Sequence, residues 1–302
     1  MNPGLDKLQD YPFERLQNLK SKVPLKEHSS IIDLSIGEPK TELPELIQHA
    51  LMESSDQISF YPSTRGTDAL RQSIASWLCR RFQIPEDKLS PDENILPVNG
   101  TREALFGISQ ALADTKNRKY VALPNPFYQI YEGAAFLAGA QPFFMPCPES
   151  RGFSPHFELI EPSIWMETSL VYVCSPNNPS GSILNPADYD YLLKMADIYN
   201  FIVVADECYS EIYRHTPPPG LMEISDKLGA DPDRVVTFHS LSKRSNLPGL
   251  RSGFAASGEK NIKQMKQLRA YSGAPIHNEV AERGFSIEDV KYAILLETIL
   301  GK

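Results

Sequence analysis

The sequence has no apolar run long enough to span a membrane, no basic block and few cysteines. Cys79, Cys147, Cys174 and Cys208 are widely spaced across 302 residues and form no C-x-x-C pair. Neither a metal site nor a disulfide framework is expected from such spacing, and a reducing cytoplasm is the simplest setting. The N-terminal stretch MNPGLDKLQDYPFERL carries charges where a signal peptide needs an apolar core. A formal net charge of -8, with no basic stretch, argues against nucleic acid or an anionic membrane as partner. A small-molecule enzyme is favoured, with an ordinary globular composition of 41% hydrophobic and 23% charged residues. The length predicts one large domain plus an appendage.

What is present is a recurring alternation. Apolar segments of strand length stand at 120–124 (YVALP), 170–175 (LVYVCS), 201–206 (FIVVAD) and 234–240 (RVVTFHS). Runs apolar on both faces suit the buried strands of a mostly parallel sheet. Between Thr67 and Phe82, the residues Leu70, Ile74, Trp77, Leu78 and Phe82 share one side of a helix. Another helix is expected after Asn185-Pro186, since proline sits well at a first helical position. Strands alternating with helices predict a doubly wound α/β fold. Residues 1–42 are polar and broken by Pro3, Pro12, Pro24 and Pro39, and read as an arm or part of a second lobe.

In an open α/β sheet, ligands bind beyond the carboxyl ends of the strands. Four strand ends carry unusual chemistry. After ILPV at 95–98 come Gly100 and Thr101. Gly100 permits close backbone approach, and Thr101 can cap the following helix, whose free N–H groups favour phosphate. An ordinary N-cap is the alternative. After LVYVCS, the turn Pro176-Asn177-Asn178-Pro179 is either a plain hydrophilic loop or a rigid mount for the Asn178 amide. Asp206 ends a very apolar strand, where a carboxylate needs a partner unless it merely caps a helix, and Tyr209 follows three positions on. Last come Ser240, Ser242, Lys243 and Arg251 in HSLSKRSNLPGLRSGF, at 239–254. Most lysines are solvated, but a partly desolvated one beside other cations becomes a nucleophilic amine.

Together the four ends supply a lysine for a Schiff base, an aspartate for a pyridinium nitrogen, and an arginine, hydroxyls and a helix start for phosphate. Pyridoxal 5′-phosphate (PLP) requires this set.

The strings YPFERL (11–16), LSIGEPK (34–40), PVNGTREALF (97–106), PNPFYQIYEGAAFLAGA (124–140), YVCSPNNPSG (172–181), DECYSEIY (206–213) and SLSKRSNLPGLRSGF (240–254) go further. The chain resembles the fold-type I PLP enzymes, specifically the class I/II aminotransferases, and within them the proteobacterial succinyldiaminopimelate aminotransferases. The resemblance implies that Lys243 binds the cofactor aldehyde and shuttles the substrate's proton, and that Asp206 keeps the ring nitrogen protonated. It also implies that Tyr209 and Asn178 bond the ring's O3′ and that Tyr128 stacks on the ring, whereas Phe127 and Tyr131 read as core aromatics. The phosphate is expected at the Gly100–Thr101 backbone, Ser240 and Arg251, with Tyr61 reaching the neighbouring subunit's phosphate in a homodimer. Gly37 is expected near the substrate carboxylate.

The resemblance runs to about Asn278, where the family continues into a small domain and EVAERGFSIEDVKYAILLETILGK does not. The expected organisation is an arm at 1–42, a PLP-binding domain at 43–278 and a divergent tail at 279–302. In the tail, Ser286 would cap a short helix with Ile287, Val290 and Ile294 on one side. In the family, the arginine that clamps the substrate's α-carboxylate comes from the small domain, and no residue here takes that part. The expected activity is exchange of an amino group between glutamate and N-succinyl-2-amino-6-oxopimelate. The alternatives are an aspartate or aromatic aminotransferase, a C–S β-lyase, or a truncated PLP-binding remnant.

Overall fold

The structure is a computed structural model that describes residues 3–23, 36–37, 42–275 and 278–286. Among these, seven strands form one sheet: β1 (Ile95–Val98), β2 (Tyr120–Asn125), β3 (Gln141–Pro146), β4 (Thr168–Cys174), β5 (Ile202–Asp206), β6 (Val235–Ser240) and β7 (Gly253–Ser257). Their order is β1-β7-β6-β5-β4-β2-β3, with β7 antiparallel to both neighbours and the remaining pairs parallel. The expected α/β architecture is therefore present. β4 is buried at every position, as its continuous apolar run requires. β1 contains Pro97, which an edge strand tolerates because one of its sides is unpaired.

Strand side chains alternate between two faces. Leu170 and Tyr172 of β4 join Leu105, Ile108, Tyr131 and Met265 on one face, while Val171 and Val173 join Trp165, Tyr189 and Phe201 on the other. The helix Asp68–Phe82 buries Leu70, Ile74, Trp77, Leu78 and Phe82, and its N-cap Thr67 accepts from the Leu70 N–H at 3.2 Å. The helix Pro186–Tyr199 starts with the expected proline, and Asn185 and Asp188 close a capping box before it. No helix among the described residues is long and apolar enough to cross a membrane.

A helix over Asn278–Ser286 buries Val280, Ala281 and Phe285, and the Phe285 ring sits 5.2 Å from that of Phe254. Ser286 is thus a helical residue and not an N-cap, because the apolar spacing of Val280, Ala281 and Phe285 already starts the helix at Asn278. Ile287, Val290 and Ile294 lie outside the described residues.

Candidate active site

The carboxyl ends of β4, β5 and β6 lie side by side, with Asp206 opposite both Cys174 and Phe238. Ser240 ends β6 opposite Gly253, the first residue of β7. The carboxyl end of these central strands therefore gathers residues far apart in sequence.

Asp206 is 4% exposed. Its Oδ2 accepts a hydrogen bond from the Tyr131 hydroxyl at 2.7 Å, and its Oδ1 accepts from the Cys208 N–H at 3.2 Å. Burial pushes this carboxyl's pKa up, and those donors, with His239 nearby, only partly offset it. No ion pair to Asp206 exists among the described residues. With no ligand bound, the folded carboxyl holds its proton more tightly than the unfolded one. The acid form's stability is present below the ordinary carboxylate pKa and is lost as pH rises through the raised value. We expect the thermal midpoint of cofactor-free wild type to fall relative to Asp206→Asn as pH rises from about 4. Parallel curves would mean that the carboxyl is not desolvated.

Tyr131 is the fully buried core aromatic that the sequence suggests, and its hydroxyl also reaches the candidate site. Its ring stacks on Tyr172 at 4.7 Å, which leaves its hydroxyl aimed at Asp206. The signal was the hydroxyl itself: a tyrosine in an apolar helix face needs a buried partner, and phenylalanine does not. Phe127 is partly buried against the same core and stacks on the exposed Phe144. Tyr128 meets Tyr131 edge-on, and its hydroxyl accepts from Arg102 Nε at 3.0 Å. Tyr209 is half-buried, and its phenol pKa is raised first by burial and then by the negative charge of Asp206. A Cβ on Gly37 would lie 3.9 Å from the Tyr209 hydroxyl, so the two residues are neighbours. Asn178 follows Cys174, whose Sγ accepts its N–H at 3.4 Å, in a turn closed by Asn177 Nδ2 bonding Ser180 Oγ at 2.7 Å.

On the other side, Gly100 is the N-cap of the helix Thr101–Leu112, with φ +79°. A Cβ there would stand 2.8 Å from Arg251 Cζ. Thr101 is the first helical residue and not the cap. Its hydroxyl instead lies 3.0 Å from Cys208 Sγ, because the chain enters the helix through a backbone conformation that favours glycine. Arg251 donates to the Pro248 carbonyl at 3.0 Å and to Glu103 at 3.3 Å. Ser240 Oγ accepts the Ser242 N–H at 3.0 Å. Lys243 is half-buried in the short helix Leu241–Arg244 that follows Ser240. Tyr61 stands apart, fully exposed.

Gly100→Ala would place a methyl group on the guanidinium in a strained conformation. We expect it to cost about 1–3 kcal/mol of stability. Equilibrium urea unfolding measures this, and a loss indistinguishable from zero contradicts the backbone strain at φ +79°.

The cluster thus offers a buried carboxylate, a lysine beside small hydroxyls, and a cation beside a helix N-terminus. The family described as aminotransferase class I and II matches residues 29–276. The chain is similar to an LL-diaminopimelate aminotransferase from Natranaerobius thermophilus, with 31% identity over 88% of this chain and 67% of that protein. It is also similar to LL-diaminopimelate aminotransferase 2 from Trichormus variabilis, with 29% identity over 88% of this chain. It spans 66% of the latter's length, just under two thirds. Among solved structures, an aminotransferase from Neisseria meningitidis superposes with TM-score 0.90 at 39% identity, over 98% of this chain and 75% of that one. Aminotransferase AspB from Helicobacter pylori gives 0.87 at 37%, over 95% and 75%.

Proposed function

The chain belongs to the aminotransferase class I and II family, and from that premise we propose that it binds PLP and moves an amino group between an amino acid and a 2-oxo acid. The observation carrying this reading is Asp206, a nearly buried carboxylate with no ion pair among the described residues, at the same end of the central strands as Lys243, Ser240 and Arg251.

The residues present fit the cofactor. A pyridinium N–H would give Asp206 its cationic partner. The guanidinium of Arg251 lies against the bare Gly100 backbone at a helix start, which would set a cation and free helix N–H groups together for a phosphate. When bound, the cofactor supplies a ring that takes up the electron pair released at the substrate's Cα. In this reading Asp206 keeps the ring nitrogen protonated and is itself oriented by Tyr131. Tyr209 and Asn178 bond the ring oxygen, and Tyr128 covers a ring face. Lys243 holds the aldehyde and moves the proton at Cα. The Gly100–Thr101 backbone, Ser240 and Arg251 hold the phosphate, and Gly37 lies beside the substrate carboxylate.

Residues 43–278 form the cofactor domain in this proposal, with 1–42 as an arm and 279–302 as a tail. The protein is a homodimer in which Tyr61 reaches the partner's phosphate site, a reading supported by the exposure of Phe60 and Tyr61. Its four free cysteines support a cytoplasmic setting.

For the substrate, we propose N-succinyl-LL-diaminopimelate with 2-oxoglutarate, on the strings that resemble the succinyldiaminopimelate enzymes. The names of the curated relatives favour free LL-diaminopimelate as a second reading. Glutamate formation from 2-oxoglutarate, with each diacid as sole donor, separates them. Faster turnover of the succinylated donor supports the first reading, and turnover of the free diacid alone supports the second. Activity only on aspartate or aromatic amino acids sinks both. Pyruvate release from cystathionine without any transamination would identify a lyase instead.

A further inference from the structure

Outside that cluster, a cavity of about 500 Å³ opens between the helices Thr101–Leu112 and Glu259–Ser272, over Leu96 and Val98 of β1. Its lining includes none of Asp206, Tyr209, Ser240, Lys243 or Arg251. Its size suits a small ligand. Ile108, Met265 and Leu268 make its wall apolar.

Into this apolar space comes Arg269, only 9% exposed. Among the described residues it forms no side-chain ion pair, and its Nε is buried without a hydrogen-bond partner. Buried arginines are ordinarily paired, because an uncompensated charge in an apolar environment is costly. Burial alone pulls its pKa down to about 10. The two other charged residues of the lining are already engaged: Arg102 donates to Tyr128, and Glu103 accepts from Arg251. Arg269 is therefore the charge that the cavity offers to a ligand.

We propose that this cavity is a binding site for a small carboxylate with an apolar body, its carboxylate held by the Arg269 guanidinium and its body by the Ile108, Met265 and Leu268 wall. A planar guanidinium matches a carboxylate in two parallel hydrogen bonds, and the apolar wall selects for an alkyl or aryl body over a hydrated ion. The site adjoins the proposed cofactor site, since its lining residues Arg102 and Glu103 bond Tyr128 and Arg251, and its test on the PLP-loaded chain rests on that reading.

The test is calorimetric titration of the PLP-loaded, full-length chain with hexanoate, and with 1-hexanol as the uncharged probe. The cofactor's absorbance is followed in parallel, so that binding near Asp206 is recognised by a change in the band. Hexanoate should bind without changing the band, and 1-hexanol should bind at least tenfold more weakly. Arg269→Gln should weaken hexanoate at least tenfold and leave 1-hexanol unaffected. Met265→Trp, which fills the cavity and keeps the arginine, should abolish binding of both. Equal affinity of wild type and Arg269→Gln for hexanoate, or no binding by wild type at millimolar hexanoate, overturns the proposal. So does an Arg269→Gln chain that dissociates from dimer to monomer in light scattering, since the occupant would then be a second copy. Ligand-free Arg269→Met should melt above wild type, because the unpaired charge is gone. A lower midpoint would show that the arginine has a structural partner, and this too overturns the proposal.

Discussion

Lys243→Ala is expected to abolish covalent capture of the cofactor and to lower kcat for transamination by on the order of 10⁴. Lysine contributes twice in the proposed mechanism, first as the amine that holds the aldehyde and then as the base and acid at Cα. Loss of a residue with two roles in one reaction coordinate does not resemble loss of a binding contact, which would raise KM and leave kcat in place. Lys243 lies on the turn directly after Ser240 and is half-buried, so alanine removes a side chain without opening the core. The check is borohydride reduction followed by mass spectrometry. Wild type should retain one cofactor per chain, and the variant none. Retained cofactor in the variant would move the covalent role to another lysine.

Asp206→Asn is expected to lower kcat by about 10³-fold while KM changes little. Asparagine keeps the shape of the aspartate: its amide oxygen can still accept the Cys208 N–H, and its NH2 would donate to the Tyr131 hydroxyl, reversing the 2.7 Å bond that Tyr131 makes to the carboxylate. What it lacks is the charge that stabilises a protonated ring nitrogen. Burial makes that charge expensive in the unliganded protein, as the raised pKa of Asp206 reflects, and a cationic ring offsets the expense. Steady-state kinetics with cofactor saturation confirmed by absorbance would measure the effect. A variant with near wild-type kcat would reduce Asp206 to a structural acid.

Much of this was legible because parallel strands buried on both faces leave continuous apolar runs, and the ligand end of such a sheet is fixed by chain direction. Asp206 at the end of FIVVAD and Ser240 at the end of RVVTFHS are therefore legible from the sequence as ligand-end residues. β3 and β7 were not legible. QPFFMP carries two prolines and lies at the sheet's edge, while GFAAS is built of small residues with no branched side chain to mark a strand. Thr101 was misjudged because a hydroxyl before a helix usually caps it, whereas here Gly100 takes the cap position and the hydroxyl turns to Cys208. Tyr131 is buried as read, but its bond to Asp206 was not legible because helical spacing reports burial and says nothing of what a buried hydroxyl faces. The helix at Asn278–Ser286 was not read from the sequence, though Val280, Ala281 and Phe285 lie at core spacing.

The central claim is that the Asp206 and Lys243 cluster forms a working transaminating site in this chain. Its most direct measurement is a single-turnover titration of the PLP-loaded protein with glutamate, followed by absorbance. The account predicts that the band of lysine-bound cofactor converts to that of the aminated cofactor, with one equivalent of 2-oxoglutarate released. A cofactor band that glutamate leaves unchanged would contradict it.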